Sequence, residues 1–216
     1  MKLIIYGSSD FGLQTYNLIK FHRSHDYEFT GFIDDTKTPG TVIVEGFTVL
    51  GGLSYLESYP FNIQDTAIFL SIGYKDLSAR YRIFQKCKEI GFFFPNFIHP
   101  NAHIEEDLII GEGNYIMAGA AIDQSVRVGD LNFIDLGCIV GHNSTIKNNN
   151  YVSAGTVIAG FASIGSNNFI GIQTSIADNI KIDNDNFINA ASLIAGNIGS
   201  NRRVVTIIEQ KQYELE

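Results

Sequence analysis

The chain has 216 residues, a net charge of −8 and a sequence pI near 5.0, a balance that excludes a general nucleic-acid or anionic-membrane surface, because phosphate backbones and headgroups reward basic patches. No apolar run approaches a membrane span. The two cysteines, Cys87 and Cys138, stand far apart and outside any CxxC pattern, which fits buried thiols in a reducing compartment.

Met1-Lys2 leads straight into an apolar strand, Leu3 to Tyr6, with no signal-type apolar region, so the expectation is a soluble cytoplasmic protein. Gly7-Ser8-Ser9-Asp10-Phe11-Gly12 follows, before a helical pattern of Leu13, Tyr16, Leu18 and Ile19. A strand, a glycine turn and a helix start present free backbone N–H groups to a phosphate. Gly7 makes the tight turn, Gly12 allows helix and strand to pack closely, and Ser9 replaces the middle glycine of the dinucleotide fingerprint. A plain strand-to-helix turn with a Ser/Asp cap explains the same residues without a ligand.

A second strand, Phe29 to Ile33, ends in Asp34-Asp35, the place in a doubly wound sheet for a carboxylate on a ribose hydroxyl. A third, Thr66 to Ile72, runs into Gly73, and a helix from about Ala79 to Gly91 carries Tyr81, Ile83, Phe84, Cys87 and Ile90 as a core face. Three junctions at one sheet edge therefore offer Gly7 to Gly12, Asp34-Asp35 and Gly73 to a common ligand. A nucleotide bound without being reduced satisfies this as well as NAD does. Pro95 and Pro100 flank the boundary between two domains, 1–98 and 99–216; His99 and His103 beside it read as structural hydrogen-bonding residues.

From residue 104 to residue 194 the sequence repeats every six residues. Ile104, Ile110, Ile116, Ile122, Val128, Ile134, Val140, Ile146, Val152, Ile158, Ile164, Ile170, Ile176, Ile182, Ile188 and Ile194 are all β-branched, with none missing. Four residues after them stand small or modest side chains, including Ala120, Val126, Cys138, Ser144, Thr156, Ala162, Thr174 and Ser192. Neither a 3.6-residue helix nor a flat alternating strand keeps a period of six on one face. A solenoid of short parallel strands does, with the aliphatics stacked along its axis.

The repeat, with GFIDD at residues 31–35, SIG at 71–73 and IHPNA at 98–102, resembles the sugar acyltransferase family that includes sialic acid O-acetyltransferases and N-acetyltransferases of nucleotide-linked 4-amino-4,6-dideoxy sugars. The resemblance implies an α/β N-terminal Rossmann-like domain followed by an all-β left-handed parallel β-helix with three hexads per coil. It also implies a homotrimer with sites between subunits, acetyl-CoA as co-substrate and a UDP- or TDP-linked amino sugar as acceptor, in surface glycan biosynthesis. Gly7, Ser8, Ser9, Asp10, Gly12, Asp34, Asp35 and Gly73 would then hold the nucleotide.

His142 is the one histidine inside the repeat, and a local break in a regular pattern points to function. Acyl transfer to an amine needs a base near neutral pH, which an imidazole supplies. The family's acid after this histidine is Asn143 here, and its asparagine seven positions earlier is Asp135, so Asp135 is expected to replace the missing carboxylate or bind the amine. The resemblance places Tyr151, Gly160, Gly171 and Ile172 along the acetyl-CoA groove. The family's closing Gly-x-Pro-Ala-Lys/Arg loop is replaced by Asn201 to Ile208, where Arg202 and Arg203 are candidates for the CoA phosphates. An O-acetyltransferase and a non-catalytic scaffold trimer are the alternatives.

Overall fold

The structure is a computed structural model that describes residues 1–23, 25–44, 46–59 and 62–206; Ile207 and Ile208 lie outside these. The first layer is a five-stranded sheet of order β3-β4-β2-β1-β5, built from β1 (Lys2–Tyr6), β2 (Glu28–Ile33), β3 (Val42–Val44), β4 (Phe47–Gly51) and β5 (Thr66–Leu70). β1 runs parallel to both β2 and β5, and only the edge strand β3 is antiparallel.

β1 is apolar without alternation because both of its faces are covered. Leu3 and Ile5 pack with Tyr16 and Ile19 of α1 (Asp10–His22), while Ile4 and Tyr6 pack with Leu56 of α2 (Leu53–Glu57) and Phe84 and Cys87 of α3 (Leu77–Ile90).

Several element boundaries differ from expectation: β1 and β2 each start one residue early, at Lys2 and Glu28, and two shifts are larger. β5 stops at Leu70, not Ile72, although the Ser71 N–H still donates to Tyr6 O at 2.7 Å. α3 starts at Leu77, earlier than Ala79, because the Asp76 carboxylate accepts the Ala79 N–H and caps the first turn. Ser9 occupies the N-cap of α1 but makes no side-chain capping bond. The β3–β4 pair and α2 are elements the sequence reading did not contain.

The second layer is a three-sided parallel β-helix whose strands visit three sheets in rotation, each pairing with the strand 18 residues on. One side, here the aromatic face, carries Phe97, Tyr115, Phe133, Tyr151, Phe169, Phe187 and Arg203 at its outward positions. The aliphatic face carries His103, Ala121, Ile139, Val157, Ser175 and Leu193, and the polar face Ile109, Arg127, Thr145, Ser163 and Lys181. The solenoid begins at Phe97–Ile98, which pairs with Tyr115–Ile116.

The repeating aliphatics fill the axis, and from Ile116 to Ile194 they form one buried cluster with Ala120, Val126, Cys138 and Ala162. Every third corner instead buries an asparagine. Asn96 Oδ1 accepts from the backbone N–H and Nδ2 of Asn114; the same pairing passes through Asn132, Asn150 and Asn168 at 2.8 to 3.1 Å, continues to the Asn186 N–H, and ends with Asn186 Oδ1 on the Arg202 N–H.

Each corner from 113 to 191 also has one residue at positive φ, mostly glycine or asparagine, but Leu131, Phe161, Gln173 and Ala191 as well. The α/β layer lies on the aromatic face: Phe11 of α1 packs on Tyr115 and Phe133, and Tyr74 packs on Tyr151 and Phe169.

Candidate active site

At the carboxyl ends of β1, β2 and β5 the sheet opens into a cleft of about 380 Å³ lined by Tyr6, Gly7, Ser9, Asp34, Asp35 and Gly73, among others. Five of the eight expected nucleotide-binding residues thus share one wall. Gly7 takes φ +105°, and a Cβ there would lie 2.5 Å from Ser71 O, so only glycine brings β1 and β5 this close at the turn. Gly12 is buried against Gly7, and Asp10 faces a groove on the outer side of α1. Ser8 points inward instead: its N–H and hydroxyl both donate to Asp34 Oδ2, at 3.1 and 2.5 Å.

Both aspartates are already engaged. Burial alone would raise the Asp34 carboxyl, but bonds from Ser8 and Thr36 prevail and hold it at about 2. Asp35 accepts the Tyr6 hydroxyl at 2.5 Å and the Leu53 N–H at 2.8 Å. Desolvation, and then that bond, push the Tyr6 phenol far up. Lys37 donates to Ser8 O at 2.8 Å beside the same turn. These carboxylates shape the cleft walls, and what they offer a ligand is their remaining lone pairs.

His142 occupies the solenoid edge between the aliphatic strand Ile139–Val140 and the polar strand Thr145–Ile146. Its Nδ1 pairs with Asn143 Oδ1 at 3.0 Å. A carboxamide oxygen only accepts, so Nδ1 carries the proton and Nε2 keeps its lone pair for a substrate. Asn143 sits at φ +59°, which asparagine tolerates.

Phe161 meets the ring edge-on at 5.1 Å, and a Cβ on Gly160, one coil on, would stand 3.0 Å from Cε1 and Nε2. Gly160 therefore makes the room in which the imidazole lies. His142 as a whole is half-buried.

Asp135 stands at a different edge, between aromatic and aliphatic faces, where it accepts the Leu136 N–H at 2.7 Å. Gly171 and Ile172 share that edge two coils further on, with Leu136 and Ile172 about half-exposed. Gly171 is needed for stacking, since a Cβ would be 2.4 Å from Ala190 N. Tyr151 lies on the aromatic face between Phe133 and Phe169, with its hydroxyl raised to about 12 by desolvation and then Asp135. Arg203 covers the Phe187 ring at 5.1 Å, at the top of the same face.

Within one chain most of the expected residues fall into three places: the cleft, the His142 edge with Asn143 and Gly160, and the Asp135 edge with Gly171 and Ile172; Asp10 and Gly12 on α1 and Tyr151 on the aromatic face lie outside them. The His142 edge is opposite the aromatic face on which the α/β layer rests. Tyr6, Lys37 and Phe161 join these places without having been singled out from sequence. Only Phe161, a phenylalanine at a corner position that glycine or asparagine usually fills, left a signal there.

No protein-family model matches the chain, and no curated protein matches it either. Among solved structures it is similar to the acetyltransferase domain of PglB from Neisseria gonorrhoeae FA1090, solved also with acetyl coenzyme A (24% identity, TM-score 0.82, covering 94% of this chain and 95% of that one). It is also similar to PerB from Caulobacter crescentus in complex with CoA and GDP-perosamine (24%, TM-score 0.81, 94% and 93%), and to WeeI from Acinetobacter baumannii AYE (18%, TM-score 0.83, 95% and 97%).

The chain has the fold of hexapeptide-repeat sugar acetyltransferases. The likeness spans both layers, so the α/β sheet and the solenoid are shared as a pair. At these identities the comparison speaks for the acetyltransferase fold, and the chemistry rests on the residues themselves. No described helix is long and apolar enough to cross a membrane.

Proposed function

We propose that this chain is an acetyl-CoA-dependent N-acetyltransferase acting on a nucleotide-linked amino sugar, working as a cytoplasmic homotrimer with each site shared by two chains. The observation that carries it is the imidazole of His142, oriented through Nδ1 by Asn143 and left with a free Nε2 in a gap made by Gly160. The α/β layer, up to residue 96, is read as a Rossmann-like nucleotide-binding domain and residues 97–206 as a left-handed β-helix; the expected boundary at 98 moves back because Phe97–Ile98 already pair with Tyr115–Ile116 as the first rung. Acetyl-CoA supplies the thioester that the amine attacks. His142 Nε2 takes the proton from the acceptor nitrogen as the C–N bond forms, and the departing sulfur takes it up. Cys87 and Cys138 are buried, with their thiols raised to about 12 by desolvation, so neither is poised as a nucleophile.

The placement of residues supports a shared site. The aliphatic face exposes Ile139 (47%), Val157 (37%) and Leu193 (70%), and its two edges carry the two separated residue groups. A cyclic head-to-tail contact that covers this face would set the Asp135 edge of one chain against the His142 edge of the next. Asp135, Gly171 and Ile172 would then complete the site from the neighbour. Gly160, Gly171 and Ile172 would line the acetyl-CoA groove; Tyr151, expected there too, lies on the aromatic face against Tyr74 and Phe133, away from the His142 edge.

PerB was solved with CoA and GDP-perosamine, so the acceptor panel should include GDP-, UDP- and TDP-linked 4-amino sugars. Thiol release from acetyl-CoA should appear with at least one of them and fall by about 10²–10⁴ in His142→Ala. Silence with every amino sugar, together with turnover of a sugar bearing only hydroxyls, would replace this reading with O-acetylation.

A further inference from the structure

Arg80, in the first turns of α3, is fully buried. A guanidinium has five N–H donors. One of its nitrogens, Nη2, donates to Leu131 O at 2.9 Å, while Nε and Nη1 find no partner among the described residues. Burial brings its pKa down to about 10, which leaves it protonated at neutral pH, and the titratable groups acting on it are the phenols of Tyr115 and Tyr151. Both phenols are themselves raised to about 12 by desolvation and so are neutral. Asn149 Oδ1, likewise buried and unpartnered, is a neutral acceptor and removes none of the charge. A buried cation with two of its three nitrogens unpaired is destabilising, which asks for a reason.

The reason lies at the cleft, which Tyr115 connects to Arg80. Tyr115 OH bonds to Ser71 Oγ at 3.1 Å, and Ser71 lines the cleft at the ends of β1, β2 and β5. Ile83, one helical turn after Arg80 on the same side of α3, lines it too. The ionisable groups lining that cleft are Tyr6, Asp34 and Asp35, and the nearby cation Lys37 is held on Ser8 O. A ligand bearing phosphates would therefore meet two carboxylates at the wall. The backbone N–H groups at the start of α1 offset part of that repulsion, and a buried cation beneath the cleft adds a field that salt screens little.

We propose that Arg80 is the counter-charge that lets this acidic cleft accept the diphosphate of a nucleoside diphosphate ligand, acting as a positioning residue that never touches it. This rests on the nucleotide-binding reading of the cleft and goes beyond it by separating the source of phosphate affinity from the residues that line the wall.

The test compares, in the full-length protein, calorimetric affinities for three diphosphates (UDP, TDP and GDP) and for their parent nucleosides. The wild type should prefer at least one diphosphate over its nucleoside. Arg80→Met should reduce that preference about tenfold and leave nucleoside affinity unchanged, and Arg80→Lys should keep it within about threefold. Raising salt tenfold should change the wild-type preference less than about threefold, because the charge is buried.

If Arg80→Met retains the preference, or loses nucleoside and diphosphate alike as a merely structural rivet would, the proposal is wrong while the nucleotide reading stands. Wild-type protein that binds no diphosphate overturns both. Should the Met variant not fold, the Lys variant and the salt series decide: loss of preference with charge retained, or its collapse in salt, counts against Arg80.

Discussion

The Nδ1 bond to Asn143 fixes which nitrogen of His142 faces a substrate, and that orientation is all a carboxamide provides. Asn143→Ala should therefore lower kcat about tenfold with KM little changed, because a freely turning ring spends less time aligned. Asn143→Asp should restore it; steady-state kinetics on the two variants decides the point. In sequence His142 stood out because it interrupts a hydrophobic register, and the structure gives it the open edge that a base needs. Arg80 did not stand out. A charged residue between Ala79 and Tyr81 on an amphipathic helix reads as solvent-facing, and only the aromatic face of a distant segment makes it interior.

Within single elements, the asparagine ladder and the β1–α1 turn each make a measurable claim. Asn150 is fully buried; its Nδ2 donates to Asn132 Oδ1 and Gly165 O, and its Oδ1 accepts from the Asn168 N–H and Nδ2. Replacing it with Ala strands several buried polar groups at once, at about 3 kcal/mol in chemical unfolding.

At the turn, Asp34 has a folded pKa below its unfolded value. Its contribution to stability is present above about pH 4 and is lost as pH falls through about 2. Asp34→Asn should therefore flatten the wild-type loss of stability between those values, by about 1 kcal/mol after allowing for partial exposure.

The hexad pattern made the axis legible because one face must stay apolar over many coils. The ladder recurs at 18 residues and is hidden in a sequence rich in surface asparagines. The β3–β4 pair and α2 are short and lack periodicity, so packing on β2 defines them rather than local pattern.

For the molecule as a whole, the aliphatic face and the separation of His142 from Asp135 point to assembly as the condition for activity. Ile139→Glu should give a smaller species in analytical ultracentrifugation and lose turnover, while the ladder keeps each protomer folded. Mixing inactive His142→Ala chains with inactive Asp135→Asn chains should recover a fraction of activity, since some sites then draw an intact half from each. Mixtures as dead as their parents would mean that each chain builds its site alone. The two-layer architecture was readable from the strand-glycine-helix opening and the hexads. Which edges of the prism belong together was not, because a one-dimensional period carries no information about a neighbouring chain.

Strands that repeat every 18 residues along an axis are spaced about 4.8 Å apart, and the α/β layer is clamped to chosen rungs through Tyr115, Phe133, Tyr151 and Phe169. The solenoid is thus a ruler with discrete graduations. For the proposed reaction, transplanting the His142 hexad up or down by one coil would lengthen or shorten the reach from nucleotide to acceptor atom by roughly the width of a pyranose, with no intermediate setting available.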